Sequence, residues 1–486
     1  MSWNRREILG GLGVASAHSL LWAFGCGPRQ RSQRAPDQVS GEVRTWLRDA
    51  ISLLAGAGLV GHALAVSRRR TTAAADVLGS TVAHARCDGV VLTVQQPHGV
   101  REQVTSELTR EGVMAAARAL GAGSKVGRVE FGAPPQPAAI PKPDPDRVQD
   151  AYLLDGLAAI AERDRKVSAT EHAEASASRI VYAANLVDID DAMVWSVAAG
   201  HDQEQRLYRV RRALTRVAWN GTRPFISEVS RAWSGGLNDQ TFSDAEISAA
   251  REGALALLTP GSFDDGEHAL VLSPNVVAAV IDAAVRTLLV TTAERRPEVA
   301  RRLAAGATVA SPVITLTDDP SVAGAYGGFQ FDDQGVPAAP ALLVDKGHVV
   351  GRIARKRRPG HVGAPEPFPS HVRLEPGSID ELSVDDGYLL DGATSAIVDP
   401  SSDRVIVAVQ RALEIKRGKR SGRIYADVEL VGALGALLAT VSEASKATHT
   451  IGIRDEVDGQ PRWRSIEAPF LRGKGSVRAR RRKELG

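Results

Sequence analysis

The sequence predicts an α+β fold: an N-terminal α/β sandwich-like domain followed by a larger, mostly antiparallel β domain with packed helices. Three observations carry this. From Ile180 to Trp233 consecutive segments alternate apolar and polar residues, the period of half-buried strands. Stretches with a 3.6-residue apolar period stand on either side of that block. Beyond about residue 290 the chain reads mainly as short strands and turns. The 486 residues, 43% hydrophobic and 24% charged, supply ample material for buried cores and exclude a disordered chain.

In chain order, MSWNRREILGG places Arg5 and Arg6 ahead of a mildly apolar stretch, Ile8–Gly25. That pattern resembles a twin-arginine export signal. The stretch is too short and too rich in Gly, Ser and His to read as a membrane span. Ala23-Phe24-Gly25-Cys26 resembles a lipobox in which Cys26 would be lipidated; a plain cleaved signal with an incidental cysteine is the alternative. The expectation is a bacterial protein exported to the periplasm or cell envelope, touching a membrane only through a lipid anchor. Residues 1–26 are read as this signal and 27–41, rich in Gly, Pro, Arg and Ser, as a flexible tether. The second cysteine, Cys87, falls in an apolar stretch and reads as a small buried residue.

Residues 42–131 read as an N-terminal α+β domain: a helix over Val43–Leu59, strands at Ala63–Val66 and Gly89–Val94, and a helix over Arg101–Leu120. Residues 132–146 hold six prolines and can form only a linker or surface loop. Residues 147–265 read as a helix, Arg147–Ala161, then the antiparallel strands, then a helix over Ser243–Leu258. Ser243 is its N-cap, and Glu246 completes a capping box. In 266–470 a strand, His268–Leu272, enters a helix opened by Pro274, and another helix is expected near Leu430–Ala444. Residues 471–486 read as a solvated basic tail, and no nucleic-acid partner is expected from it.

Within Ser311–Lys346 a strand ends in Thr317-Asp318-Asp319-Pro320, a small-residue loop follows, and then Phe331-Asp332-Asp333-Gln334-Gly335. Each Asp-Asp pair offers local acceptors at a turn, and Gly335 permits a positive φ. These two turns, their spacing and the LVDKG strand after them resemble the central signature of the TldD/PmbA family, metallopeptidase-like proteins once called modulators of DNA gyrase. Arg373–Gly377, Ile379–Leu382, Asp386–Leu389 and Glu414–Lys419 resemble further family segments in the same order.

The resemblance implies a metal site on the helix after the apolar strand. Active relatives carry His-Glu-x-x-x-His there, two ligands for a zinc-like ion and a general base, completed by a late cysteine. In this chain those positions are Asp282, Ala283 and Thr287, with the cysteine falling near Asp455. A methyl group cannot act as a base, and threonine is a poor ligand. No catalytic residue, metal or cofactor is therefore expected in this chain. Asp282 and Arg286, four apart on one face, read as a helix ion pair.

Elsewhere Glu171-His172-Ala173-Glu174 reads as a solvated patch, and Asp188–Asp191 as a turn or solvated strand end. Gly121–Lys125 lacks the spacing of a phosphate loop. Three functions stay open at this point. The first is a non-catalytic subunit that binds unstructured peptide as a homodimer, or as a heterodimer with a metal-bearing TldD-like subunit. The second is an active metallopeptidase with atypical ligands. The third is a stand-alone envelope lipoprotein acting as a binding or scaffold module.

Overall fold

The computed structural model describes residues 36–76, 79–96, 99–122, 162, 165–167, 169–170, 180–219, 224–235, 242–258, 261–290, 297–333, 335–353, 368–457 and 460–480. Arg5, Arg6 and Cys26, the proline-rich 132–146, the helix expected at 147–161 and the Glu171–Glu174 cluster lie outside them.

Two sheets organise the chain. The first is antiparallel throughout, in the order β3-β2-β1-β4-β5-β6. Its strands are β1 (Gly61–Asp76), β2 (Gly79–Gln96), β3 (Gly99–Thr105), β4 (Ile180–Ala198), β5 (His201–Trp219) and β6 (Pro224–Ser234). Segments placed in separate units by the sequence thus share one sheet, because β1 pairs with β4 along almost its whole length. Helices α1 (Pro36–Gly56) and α2 (Arg110–Ala122) join this sheet in one core built from Val43, Leu47, Leu54, Val90, Leu92, Val113, Leu120 and Trp195. Helix α3 (Asp244–Ala256) starts at the expected capping box: the Ser243 hydroxyl accepts from Glu246 N, and Ser243 N donates to the Glu246 carboxylate at 2.9 Å. Ile180 and Ala218 of the sheet pack against its Ala254.

The second sheet runs β10-β9-β8-β11-β16-β14-β13-β12-β7, with β15 added to β16 and β16 also pairing with β7. Its strands are β7 (Gly266–Leu272), β8 (Leu316–Asp318), β9 (Ala341–Asp345), β10 (His348–Val349), β11 (His371–Leu374), β12 (Asp386–Asp399), β13 (Arg404–Lys416), β14 (Lys419–Ala433), β15 (Glu443–Val457) and β16 (Gln460–Ala479). Because β7 pairs with both β12 and β16, the sheet curls on itself. Helix α4 (Pro274–Leu288) packs into that curl, and its side chains are buried around most of its circumference. An apolar helix of this kind belongs in a core rather than on a surface. Two short helices complete the unit, α5 (Pro297–Arg302) and α6 (Leu434–Ala439).

Several local expectations are corrected. Residues 36–41 of the expected tether are helical, since α1 begins at Pro36, a residue suited to a first turn. The helix expected from Arg101 starts only at Arg110, where the Thr109 hydroxyl accepts from Gly112 N at 3.1 Å. The residues before it pair with β2 and leave Val104 63% exposed, so sheet pairing overrides the helical period. Near Leu430–Ala444 only Leu434–Ala439 is helical; β14 and β15 claim the rest. Cys87 is exposed, not buried. The basic tail from 471 is strand as far as Ala479: Leu471 and Val477 are buried while Arg472 and Arg478 point outward to Glu443 and Glu429.

The acidic run Asp188–Asp191 is neither turn nor solvated end. It lies in mid-β4, where Asp188 and Asp190 are buried. Arg70 donates to both oxygens of Asp188 at 2.9 and 3.0 Å, Thr72 adds a third bond, and Arg454 of β15 lies 3.7 Å away. Burial works against the Asp188 carboxylate, yet Arg70, Arg454 and Thr72 outweigh it and hold its pKa below the usual value. Asp190 pairs more loosely with Arg68 and Arg209, and burial pushes its pKa up. The Trp463 ring of β16 sits between those two arginines, 4.5 and 4.7 Å from their guanidinium carbons. This network joins the first sheet to the β15–β16 hairpin.

Candidate functional site

Between β6 and α3 on one side and α4, β12, β15 and β16 on the other lies a cleft of about 1920 Å³. One wall is β6, the last strand of its sheet, which presents Pro224 to Ser234 to the space. Among the described residues no strand pairs with its outer edge; Ser234 N at its end donates to the Gly324 carbonyl at 2.9 Å, and Gly452 of β15 packs closely on Ala232. The lining mixes acids (Glu228, Asp391, Glu467) with arginines (Arg231, Arg411, Arg480) and apolar Phe225 and Phe470.

The opposite wall contains the positions expected to matter for metal. Pro274 opens α4 after Ser273, whose extended backbone stops β7, and about two turns later the helix buries Asp282 at 5% exposure. A carboxylate so placed needs donors or a cation. Arg464 of β16, 1% exposed, supplies both: Nε donates to one carboxylate oxygen and Nη2 to the other at 2.8 Å. Such two-pronged pairs are the strongest protein ion pairs. Arg286, one turn along α4, donates Nε to Asp282 at 3.0 Å, the ion pair expected from the sequence. Nη1 of Arg464 lies 2.7 Å from a carboxylate oxygen of Asp455 on β15, and the Phe368 ring centre lies 5.1 Å from its guanidinium carbon. Burial alone would lower the Arg464 pKa; Asp282 first, then Asp455, reverse this and raise it.

Asp282 and Asp455, far apart in sequence, are therefore joined through one guanidinium. The other two positions are not part of the cluster. Ala283 is buried in the core, and Thr287, five residues after Asp282, is turned about 140° from it around the helix. These residues do not fit a divalent ion. Both carboxylates that could ligate one are already held by Arg464, and among the described residues no three His, Cys, Asp or Glu side chains converge as ligands.

His371 also lines the cleft. Its Nδ1 lies 2.8 Å from the Ser465 hydroxyl, and its Nε2 lies 3.7 Å from Glu467. The set superficially suits nucleophilic catalysis, but the Ser465 side chain is fully buried and offers no face to a substrate. Burial lowers the His371 pKa, keeping the ring neutral.

The twin turns are joints. Asp318 accepts from Ser370 N, the Ser370 hydroxyl and His371 N at 2.8–3.0 Å, setting β11 and with it His371. Asp319 accepts from Ser321 N at 3.0 Å, and Asp332 accepts from Val336 N at 2.9 Å. Phe331 is buried, and Asp333 is exposed. Gly335 has φ +72°, as expected, and packs so tightly on β4 and β5 that a Cβ would lie 2.4 Å from the Ser196 hydroxyl and 2.5 Å from the His201 ring.

Residues 265–472 match the family model described as the PmbA/TldA metallopeptidase C-terminal domain. Residues 265–472 are thus a TldD/PmbA-family domain. A metalloprotease from Methanothermobacter thermautotrophicus is 24% identical over 322 residues, 66% of this chain and 67% of that protein. One from Methanocaldococcus jannaschii is 23% identical over 233 residues, 44% of this chain and 51% of its own length, so the second relative is spanned for only about half. Solved TldD/PmbA-like folds include a protein described as a modulator of a DNA gyrase from Thermotoga maritima, at TM-score 0.71 and 13% identity. TldE from Thermococcus kodakarensis superposes at TM-score 0.68 and 16% identity; each comparison covers 89% of this chain and 99% of the other. These structures share its fold.

Arg464 is the residue that sequence reading missed in this TldD/PmbA-type domain. The pairing of β15 with β16 places Asp455 opposite Arg462 and diagonal to Arg464. Nothing local tied either residue to α4.

Proposed function

We propose that this chain binds extended, unstructured peptide in its cleft and does not itself hydrolyse it, as a homodimer or beside a metal-bearing relative. The observation that carries the reading is the Arg464 guanidinium between Asp282 and Asp455, across the cleft from β6, the edge strand of its sheet among the described residues. With both carboxylates tied to that cation and a methyl group at position 283, no group at the matched positions can activate a water molecule. The β6 edge offers main-chain donors and acceptors to an added strand, a mode that takes affinity from backbone and specificity from alternate side chains. Export through Arg5-Arg6, with or without a lipid on Cys26, is part of the same proposal.

Fluorescence anisotropy with a labelled unstructured peptide tests the binding. Saturable binding that is lost when alternate peptide amides are N-methylated supports strand addition. Cleavage of the peptide by pure protein, abolished by a chelator, would restore the reading as a peptidase with atypical ligands. Full-length protein in the soluble cytoplasm with its first 26 residues intact would remove export.

A further inference from the structure

We propose that the Arg464 guanidinium is a tethered cation filling a two-carboxylate cation site, and that it does the structural work an ion would do there by holding α4 to the β15–β16 hairpin. The inference rests on the cluster's geometry and stands whether or not the cleft takes peptide.

Asp282 comes from α4, Asp455 from β15 and Arg464 from β16, so one planar group links three elements. Two carboxylates face two guanidinium groups, and the cluster is neutral as built. Without the Arg464 side chain, two carboxylates would face Arg286 alone and carry a net negative charge. The space left would be the shape of a guanidinium, with the Phe368 ring along it. It would also be reachable: the Asp455 and Arg286 side chains are 37% and 36% exposed toward the cleft. The backbone around the arginine is fixed independently, because a Cβ on Gly327 would meet the Ser370 carbonyl at 1.9 Å and the Arg464 Cα at 2.7 Å. The strand that carries the cation is thus clamped in place, and the emptied site would keep its outline. Its chemistry selects a small cation with planar donors, or a hard divalent ion taken by carboxylate oxygens.

The test uses the full chain carrying Arg464→Ala. Its thermal midpoint should fall by about 5 °C or more, the scale of an unpaired buried charge in a domain of this size. Low-millimolar guanidinium chloride should then recover at least a third of that fall, while matched potassium chloride does not. The wild type should be indifferent to the same guanidinium and to a chelator. The double variant Asp282→Asn/Arg464→Ala should ignore guanidinium, since its cation site is gone. If Arg464→Ala is recovered only as aggregate, soluble yield on refolding with and without guanidinium replaces the midpoint as the readout. An unchanged midpoint, a fall that guanidinium does not reverse, equal recovery in the double variant, or a wild type destabilised by chelator would each overturn the proposal.

Discussion

Replacing Gly335 by alanine asks whether the second signature turn is a joint between the two sheets or a surface turn. Two costs are separable. A non-glycine residue at φ +72° carries about 1–2 kcal/mol of backbone strain. Removing glycine from the unfolded chain returns about 0.4–1 kcal/mol of that. The remaining cost is steric. The new methyl group would lie 2.4 Å from the Ser196 hydroxyl and 2.5 Å from the His201 ring. Neither group is free to retreat: Ser196 is fully buried, its hydroxyl is 3.3 Å from His201 Nε2, and His62 Nε2 reaches it at 2.9 Å. Overpacking of that kind costs about 1–3 kcal/mol, and each buried hydrogen bond displaced adds about 1 kcal/mol. Gly335→Ala should therefore lose about 2–4 kcal/mol in all. Gly418→Ala is the matched control. Gly418 has φ +73° in the two-residue turn between β13 and β14, and nothing lies within 4 Å of its would-be Cβ. It should stay within about 1 kcal/mol of wild type. Urea unfolding followed by tryptophan fluorescence suits the comparison, since Trp463 lies in the interface between the sheets. Equal destabilisation by the two substitutions would refute the joint.

Other predictions follow from the same structure. Asp188→Asn should destabilise by about 3–5 kcal/mol, because Arg70 and Arg454 lose the buried charge that faces them; a loss below about 1 kcal/mol in urea titration would show the network to be solvated. Ser243→Ala should cost about 1 kcal/mol through the lost cap, visible as faster amide exchange over the first turn of α3. His371 is kept neutral in the fold, so the unfolded chain takes up the proton first as pH falls below about 6.5. Its contribution to stability is thus present above that pH and declines as pH falls through it toward the lower folded-state pKa. The fall in thermal midpoint over that interval should be shallower in His371→Gln, and parallel curves would remove His371 as a source of the dependence.

Residue patterns alone gave the α+β class, the antiparallel block from Ile180, the capping box at Ser243 and the Pro274 helix start, because each rests on neighbours within a few positions. The same local period misled at Arg101–Leu120 and at Leu430–Ala444, where strand pairing outweighed helix preference. The Asp188–Asp191 run read as solvated for the same reason: its partners Arg70, Arg209 and Arg454 come from three other strands. Sequence also supplied Asp282, Ala283 and Thr287 on α4, the positions that the family resemblance singled out. Only the tertiary structure decided what Asp282 meets. Asp282 meets Arg464 because the second sheet curls until β16 passes over α4, and the burial of that carboxylate, a property of the closed core, is what makes the arginine necessary.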